Sequence, residues 1–171
     1  MNLMEGKTGL IMGVANERSI AWGIANQLHL NKANIILTYQ NDNLKKRIEP
    51  LSEKINCKKL YKCDVSLEPE NKYSIENLIK NIKKDIGDLD FVVHALAYSD
   101  KEELKGKYVE TSRQNFLSTL DISTYSFTRI SKSASKIMKN GGSLLTLTYI
   151  GSNKTTPNYN VMGVAKAALE T

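Results

Sequence analysis

Lys7-Thr8-Gly9-Leu10-Ile11-Met12-Gly13-Val14-Ala15-Asn16-Glu17-Arg18-Ser19-Ile20-Ala21-Trp22-Gly23 is the stretch on which the fold turns. Its first part is a short apolar run of the kind that fills a fully buried strand, and Gly13 ends it. From Ser19 to Leu30 the apolar residues Ile20, Ile24, Ala25 and Leu28 recur at helical spacing. Strand, glycine turn and helix together open a β–α–β unit. The usual dinucleotide turn reads G-x-G-x-x-G. Here Gly13 permits the tight turn and Gly23 permits close helix–strand packing. Ser19 starts the helix, where backbone N–H groups and a hydroxyl can hold a pyrophosphate. The alternative for this stretch is a longer connection with an ordinary N-cap serine.

The same alternation continues downstream. Asn34–Tyr39 predicts a second strand, and Asn43–Lys54 a charged helix interrupted near Pro50, which lacks the N–H a helix interior needs. Lys58–Cys63 reads as a third strand ending at Asp64-Val65. Asn71–Asp85 predicts a helix with Ile75, Leu78, Ile79 and Ile82 on one face. Leu89–Ala95 is the most clearly buried strand. Thr111–Lys139 reads as one long helix, with Phe116, Leu120, Phe127, Ile130, Ala134 and Ile137 aligned, stopped by Gly141-Gly142. Ser143–Thr148 is a fifth strand. Strict alternation of strand and helix predicts an α/β fold, a Rossmann-like doubly wound parallel sheet with right-handed crossovers. Ligands in such folds bind beyond the C-terminal ends of the strands, and Gly13, Gln40, Asp64-Val65, Ala95 to Ser99 and Tyr149 all fall there.

The last segment, Thr156-Pro157-Asn158-Tyr159-Asn160-Val161-Met162-Gly163-Val164-Ala165-Lys166, reads as a helix start, with Thr156 as N-cap and Pro157 at the first helical position. Tyr159 and Lys166 are then two turns apart on one face. A cation beside a phenol favours the phenolate and eases proton sharing. The bland alternative is an amphipathic helix with a solvated lysine.

Composition sets bounds. A chain of 171 residues, 41% hydrophobic and 25% charged, suits one globular domain. No apolar run is long enough to span a membrane, and the first residues lack the pattern of a secretory signal. Cys57 and Cys63 have no metal or disulfide pattern around them, so reduced thiols and a cytoplasmic setting are expected, with no metal. The net charge of +6 is scattered over lysines. It lacks the arginine–aromatic interleaving of a nucleic-acid surface but is compatible with an acidic protein partner. After the second strand, Tyr39-Gln40-Asn41-Asp42 offers no cation at the tip for a 2′-phosphate, which favours NADH over NADPH. Lys45, Lys46 and Arg47 lie farther along. Asp64 can accept from an adenine amino group with Val65 against the ring, or can serve as an N-cap.

Taken in order, Gly13-x5-Ser19-x-Ala21-x-Gly23, Tyr39-Gln40-Asn41-Asp42, Cys63-Asp64-Val65, Asp121-Ile122-Ser123, Leu144 to Tyr149 and Pro157 to Gly163 carry a resemblance. The chain resembles the NADH-dependent enoyl-[acyl-carrier-protein] reductases of bacterial type II fatty-acid synthesis, divergent members of the short-chain dehydrogenase/reductase superfamily. The most specific part is Tyr149-x9-Tyr159-x6-Lys166, because ordinary superfamily members carry serine where this chain brings Tyr149.

The resemblance implies hydride transfer from NADH to C3 of a trans-2-enoyl thioester on acyl carrier protein, the last step of the elongation cycle. It implies catalytic Tyr149, Tyr159 and Lys166, with Tyr159 on the carbonyl oxygen and Lys166 also on the nicotinamide ribose. Gly13, Ser19, Ile20, Gln40, Asp64, Val65 and Leu96 would contact the cofactor, and Ser99 falls on the substrate side. A homotetramer is the family expectation. The chain departs from the pattern at Ala97, where the family commonly has glycine. It also stops inside the helix bearing Lys166, so residues 1–171 are expected to be a single NAD-binding domain with the C-terminal part of the usual fold missing. Two other readings are a ketone or alcohol oxidoreductase of the same superfamily and a nucleotide-binding module without turnover.

Overall fold

The computed structural model describes residues 2–171. Strands β1 (Thr8–Met12), β2 (Asn34–Tyr39), β3 (Lys59–Lys62), β4 (Phe91–His94) and β5 (Ser143–Thr146) form one sheet in the order β3-β2-β1-β4-β5. Every neighbouring pair is parallel, with Leu10 opposite Ile36 and Val92, and His94 opposite Thr146. The order reverses between β1 and β4, so the crevice at their C-terminal ends is the switch point of the fold.

Helices α1 (Ile20–Leu30), α2 (Asp42–Lys54) and α3 (Ile75–Asp85) fill the crossovers. Ala21 and Ala25 of α1, with Ile48 and Leu51 of α2, bury themselves against Ile11, Ile35, Leu37, Phe91 and Val93. Alternation along the strands sends Leu10, Met12, Ile36 and Val92 to the other face. These four are also fully buried. Right-handed crossovers carry α3, with its buried Ile75, Leu78, Ile79 and Ile82, to that second face. Two covered faces explain why these strands read as unbroken apolar runs. On α1 the close approach is made by alanines, and Ile20, expected on the buried face, is 68% exposed.

Three expectations on helices are corrected. α2 is not interrupted: it runs through Pro50. Proline there costs the hydrogen bond to the Lys46 carbonyl, but both residues are exposed and water can serve that carbonyl. The buried Ile48 and Leu51 hold the helix on the sheet. Pro50→Ala is therefore expected to stabilise the protein by about 1–2 kcal/mol, part of the interior proline penalty being offset by the freer unfolded chain. An unchanged or lower denaturant midpoint would refute this.

The long helix expected over Thr111–Lys139 is divided. It comprises α4 (Arg113–Leu120), a π-turn (Asp121–Tyr125), α5 (Ser126–Ala134) and a 3₁₀ turn (Ser135–Ile137). The final helix, α6, begins at Asn160 and runs to Glu170, with Tyr159 rather than Thr156 at the N-cap position. Asn158 and Asn160 have φ of 59° and 35°. Asparagine tolerates this left-handed region better than most residues, and it cannot continue a helix begun at Pro157.

The chain divides into two compact units. One takes the chain up to Ala95 together with Ile130–Thr146 and contains the sheet; the other comprises Leu96–Arg129 and Leu147–Thr171. Among the described residues no helix is long and apolar enough to cross a membrane.

Candidate functional site

In the sheet unit the site residues gather at the strand ends. Gly13 follows β1 with φ of 101°. A β-carbon there would collide with the Ala95 carbonyl oxygen just past β4. Only glycine lets the chain turn so close to the neighbouring strand. Asn16 then shapes the connection. Its side-chain oxygen accepts from Arg18 N at 2.8 Å, and its carbonyl accepts from the Ser19 hydroxyl at 2.7 Å. Ser19 is the N-cap of α1, yet its side chain makes no capping bond. No side chain therefore competes for the first-turn N–H groups, which is the arrangement an anion needs. Ile20, the first helical residue, stands exposed beside them.

At the tips of β2 and β3, Gln40 Nε2 donates to Asp64 Oδ2 at 3.0 Å. The other carboxylate oxygen accepts from the backbone N–H and hydroxyl of Ser66 at 3.0 and 2.7 Å. Asp64 thus stabilises a turn, and the N-cap of α3 is Ser74. Val65 is buried. Farther out, Lys46 and Arg47 border a surface cleft with Arg18 and Lys54, and Lys54 pairs with Glu17 at 2.5 Å.

In the second unit the decisive residues lie on α6 and on the segment after β5. Val161, Met162, Ala165 and Lys166 form the buried side of α6. Lys166 is only 5% exposed, and its Nζ donates to the Leu147 carbonyl at 2.7 Å. Burial pushes its ammonium below the ordinary lysine range. Tyr159 packs edge-on against Tyr149, with ring centroids 5.0 Å apart and an interplanar angle of 61°, an arrangement that suits the ring quadrupoles. Gly151 makes this pairing possible: a β-carbon there would overlap the Tyr159 ring and press on Tyr149.

Burial first, and the neighbouring Tyr149 second, push the Tyr159 phenol above its ordinary pKa. The phenolate-favouring lysine effect expected from the spacing is therefore not the dominant influence. Tyr159 is a protonated hydrogen-bond donor at neutral pH. A cleft of about 430 Å³ runs beside these residues, lined by Tyr108, Gly151, Thr156, Tyr159, Gly163 and Val164 among others.

Leu96, half-buried, begins this second unit. Ser99, expected to face substrate, is buried. Its Oγ accepts from Asn115 Nδ2 at 3.1 Å and from Thr119 Oγ1 at 2.9 Å. The Asp100 N–H reaches Asn115 Oδ1 at 3.0 Å, and Ser123 Oγ receives the Tyr98 N–H at 3.0 Å. Thr124 Oγ1 donates to the Ala165 carbonyl, next to Lys166, at 2.8 Å. This polar network escapes a search for apolar periodicity, because Asn115, Thr119 and Ser123 recur every four residues and are buried, while Phe116 and Leu120, one position on and expected on the buried side, are only half-buried. The fourfold spacing of small polar residues was the available signal.

Comparison with known proteins fits this arrangement. The family model described as Enoyl-(Acyl carrier protein) reductase matches residues 13–171. Over 168 residues the chain is 54% identical to enoyl-[acyl-carrier-protein] reductase [NADH] 1 of Rhizobium meliloti, covering 98% of this chain and 60% of that protein. Identity to the Rickettsia prowazekii reductase is 49%, with 63% of it covered. The crystal structure of the Anaplasma phagocytophilum reductase in complex with NAD superimposes with a TM-score of 0.92 at 53% identity, covering 98% of this chain and 63% of that one. The chain thus spans about three-fifths of the length of these relatives, 60% to 63%. The glycine turn, the paired tyrosines and the buried lysine all lie within the matched residues, and the chain belongs to the enoyl-(acyl carrier protein) reductase family.

Proposed function

We propose that this chain reduces the trans-2 double bond of enoyl thioesters carried by acyl carrier protein, at the close of each elongation cycle. The observation that carries the reading is the Tyr149–Tyr159 ring pair on the unit whose helix buries Lys166. A ketone or alcohol reductase of the superfamily expects serine in place of Tyr149.

NADH, when bound, supplies the hydride. The residues present fit it: a glycine turn with positive φ, an uncapped helix start, and no cation at the tip of β2 to call for a 2′-phosphate. Gly13, Ser19 and Ile20 would meet the pyrophosphate, and Gln40, Asp64 and Val65 the adenosine. Leu96 and Lys166 would meet the nicotinamide end. Tyr159, protonated, donates to the thioester carbonyl oxygen as negative charge collects there. Lys166 would add positive potential and bind the ribose hydroxyls. Tyr149 borders the acyl chain and holds the Tyr159 ring. Ser99 supports the substrate-side segment through its buried network rather than by a free hydroxyl.

The family resemblance further supports a homotetramer working in the cytoplasm, and the +6 charge suits an acidic carrier protein. The test follows NADH absorbance with an enoyl thioester and, separately, a β-ketoacyl thioester. Oxidation with the enoyl substrate alone is expected. Oxidation with the ketone alone would replace this reading by the superfamily alternative, and NADH binding without turnover would leave a nucleotide-binding module.

A further inference from the structure

The Glu170 carboxylate, in the last turn of α6, gathers donors from both sides of the turn that carries Tyr149. Thr148 Oγ1, immediately before Tyr149, donates to Oε1. Asn153 Nδ2, immediately after the 3₁₀ turn Ile150–Ser152, donates to Oε2 at 3.4 Å. The Ser152 hydroxyl bonds the same carboxylate. Between these anchors the backbone closes on itself, with Ser152 N donating to the Tyr149 carbonyl at 2.9 Å and Lys154 N to that of Ile150 at 3.0 Å. One turn earlier on α6, Lys166 holds the Leu147 carbonyl at the entry to the same segment.

We propose that Glu170 is a positioning residue for Tyr149: its carboxylate clasps the two ends of the 148–153 turn and so sets the Tyr149 ring against Tyr159. Three donors converge on one acidic group, and two of them are linked to each other, Asn153 Nδ2 also donating to Ser152 Oγ at 3.1 Å. Both carboxylate oxygens take part, so the clasp needs the ionised form, which those donors themselves favour. An ordinary exposed acid on a helix surface would engage a lysine or water. This one reaches across to the loop that the catalytic proposal uses. The inference deepens that proposal and rests on it for the importance of Tyr149, although the ring's position can be read without any turnover.

The test uses the full chain labelled with 3-fluorotyrosine, the Tyr149 ¹⁹F resonance being identified by its loss in Tyr149→Phe. A single line is expected in the parent protein. In Glu170→Gln, which keeps size and helix propensity, that line should split or shift while the other tyrosine lines stay in place. Thr148→Val, which removes one donor and leaves the acid intact, should move it in the same direction. In the enoyl assay Glu170→Gln is expected to lower kcat about tenfold, the scale of a misplaced group, with KM for NADH unchanged. In a Tyr149→Phe background it should lower kcat no further, because the two residues act as one unit. An unmoved Tyr149 line in both variants, or losses that add, would overturn the proposal. Absence of enoyl turnover in the parent would count against the function alone, since the resonance still reports the clasp.

Discussion

Tyr159→Phe is expected to lower kcat for enoyl-thioester reduction by about 10²–10³-fold, the usual effect of deleting one donor to a developing oxyanion. The KM for NADH should change little. Three observations motivate this. The phenol lies on the cleft beside α6, its ring is fixed by Tyr149, and burial keeps it protonated. Phenylalanine preserves the edge-to-face packing, so thermal stability should hold while turnover falls. Retention of the full rate would remove Tyr159 from the chemistry.

The direction of its pKa adds a second readout. A folded-state value raised above the ordinary 10 means that the contribution of Tyr159 to stability is fully present below pH 10 and fades only as pH climbs through the folded value. A rate profile governed by Tyr159 should thus stay level through neutral and mildly alkaline pH. An alkaline limb beginning near neutrality would have to come from another group.

Gly13→Ala should damage folding and cofactor binding together. Alanine at φ of 101° is strained by roughly 1–3 kcal/mol, and its methyl meets the Ala95 carbonyl, which belongs to the strand end across the crevice. Relief requires β1 and β4 to separate just where the order of the sheet reverses. At about 2–4 °C per kcal/mol for a chain of this size, the melting temperature should drop by several degrees. NADH affinity should fall by more than the stability loss implies, because the turn also aims the first helical N–H groups. Titration with NADH at a temperature where the variant remains folded separates the two effects. Parent-like affinity there would show that the turn does not contact the cofactor.

The sheet was legible in the chain because its strands are buried on both faces. Leu10 to Met12, Ile35 to Leu37 and Phe91 to Val93 leave no polar residue to blur them. Helix interiors were legible for the complementary reason that α3 places Ile75, Leu78, Ile79 and Ile82 on one side. Helix limits were less so. Pro50 signals a break only when its surroundings cannot compensate, and here solvent and two buried neighbours do. Pro157 signals a start only if the residues after it accept helical dihedrals, which Asn158 does not.

At the candidate site, spacing puts Tyr159 and Lys166 on one face and predicts a lysine-favoured phenolate, whereas burial and Tyr149 push the phenol up. The buried ammonium reaches the Leu147 carbonyl, a backbone acceptor that no motif encodes. The substrate-side expectation for Ser99 rests on the family resemblance alone. Its burial depends on Asn115 and Thr119, sixteen and twenty residues away, and nothing in the chain next to Ser99 marks it for these partners.

Residue 151 ties the two tyrosines into a single heritable block. Because even a methyl at that position would drive into one ring and crowd the other, drift at 151 is closed unless 149 or 159 shrinks in the same step.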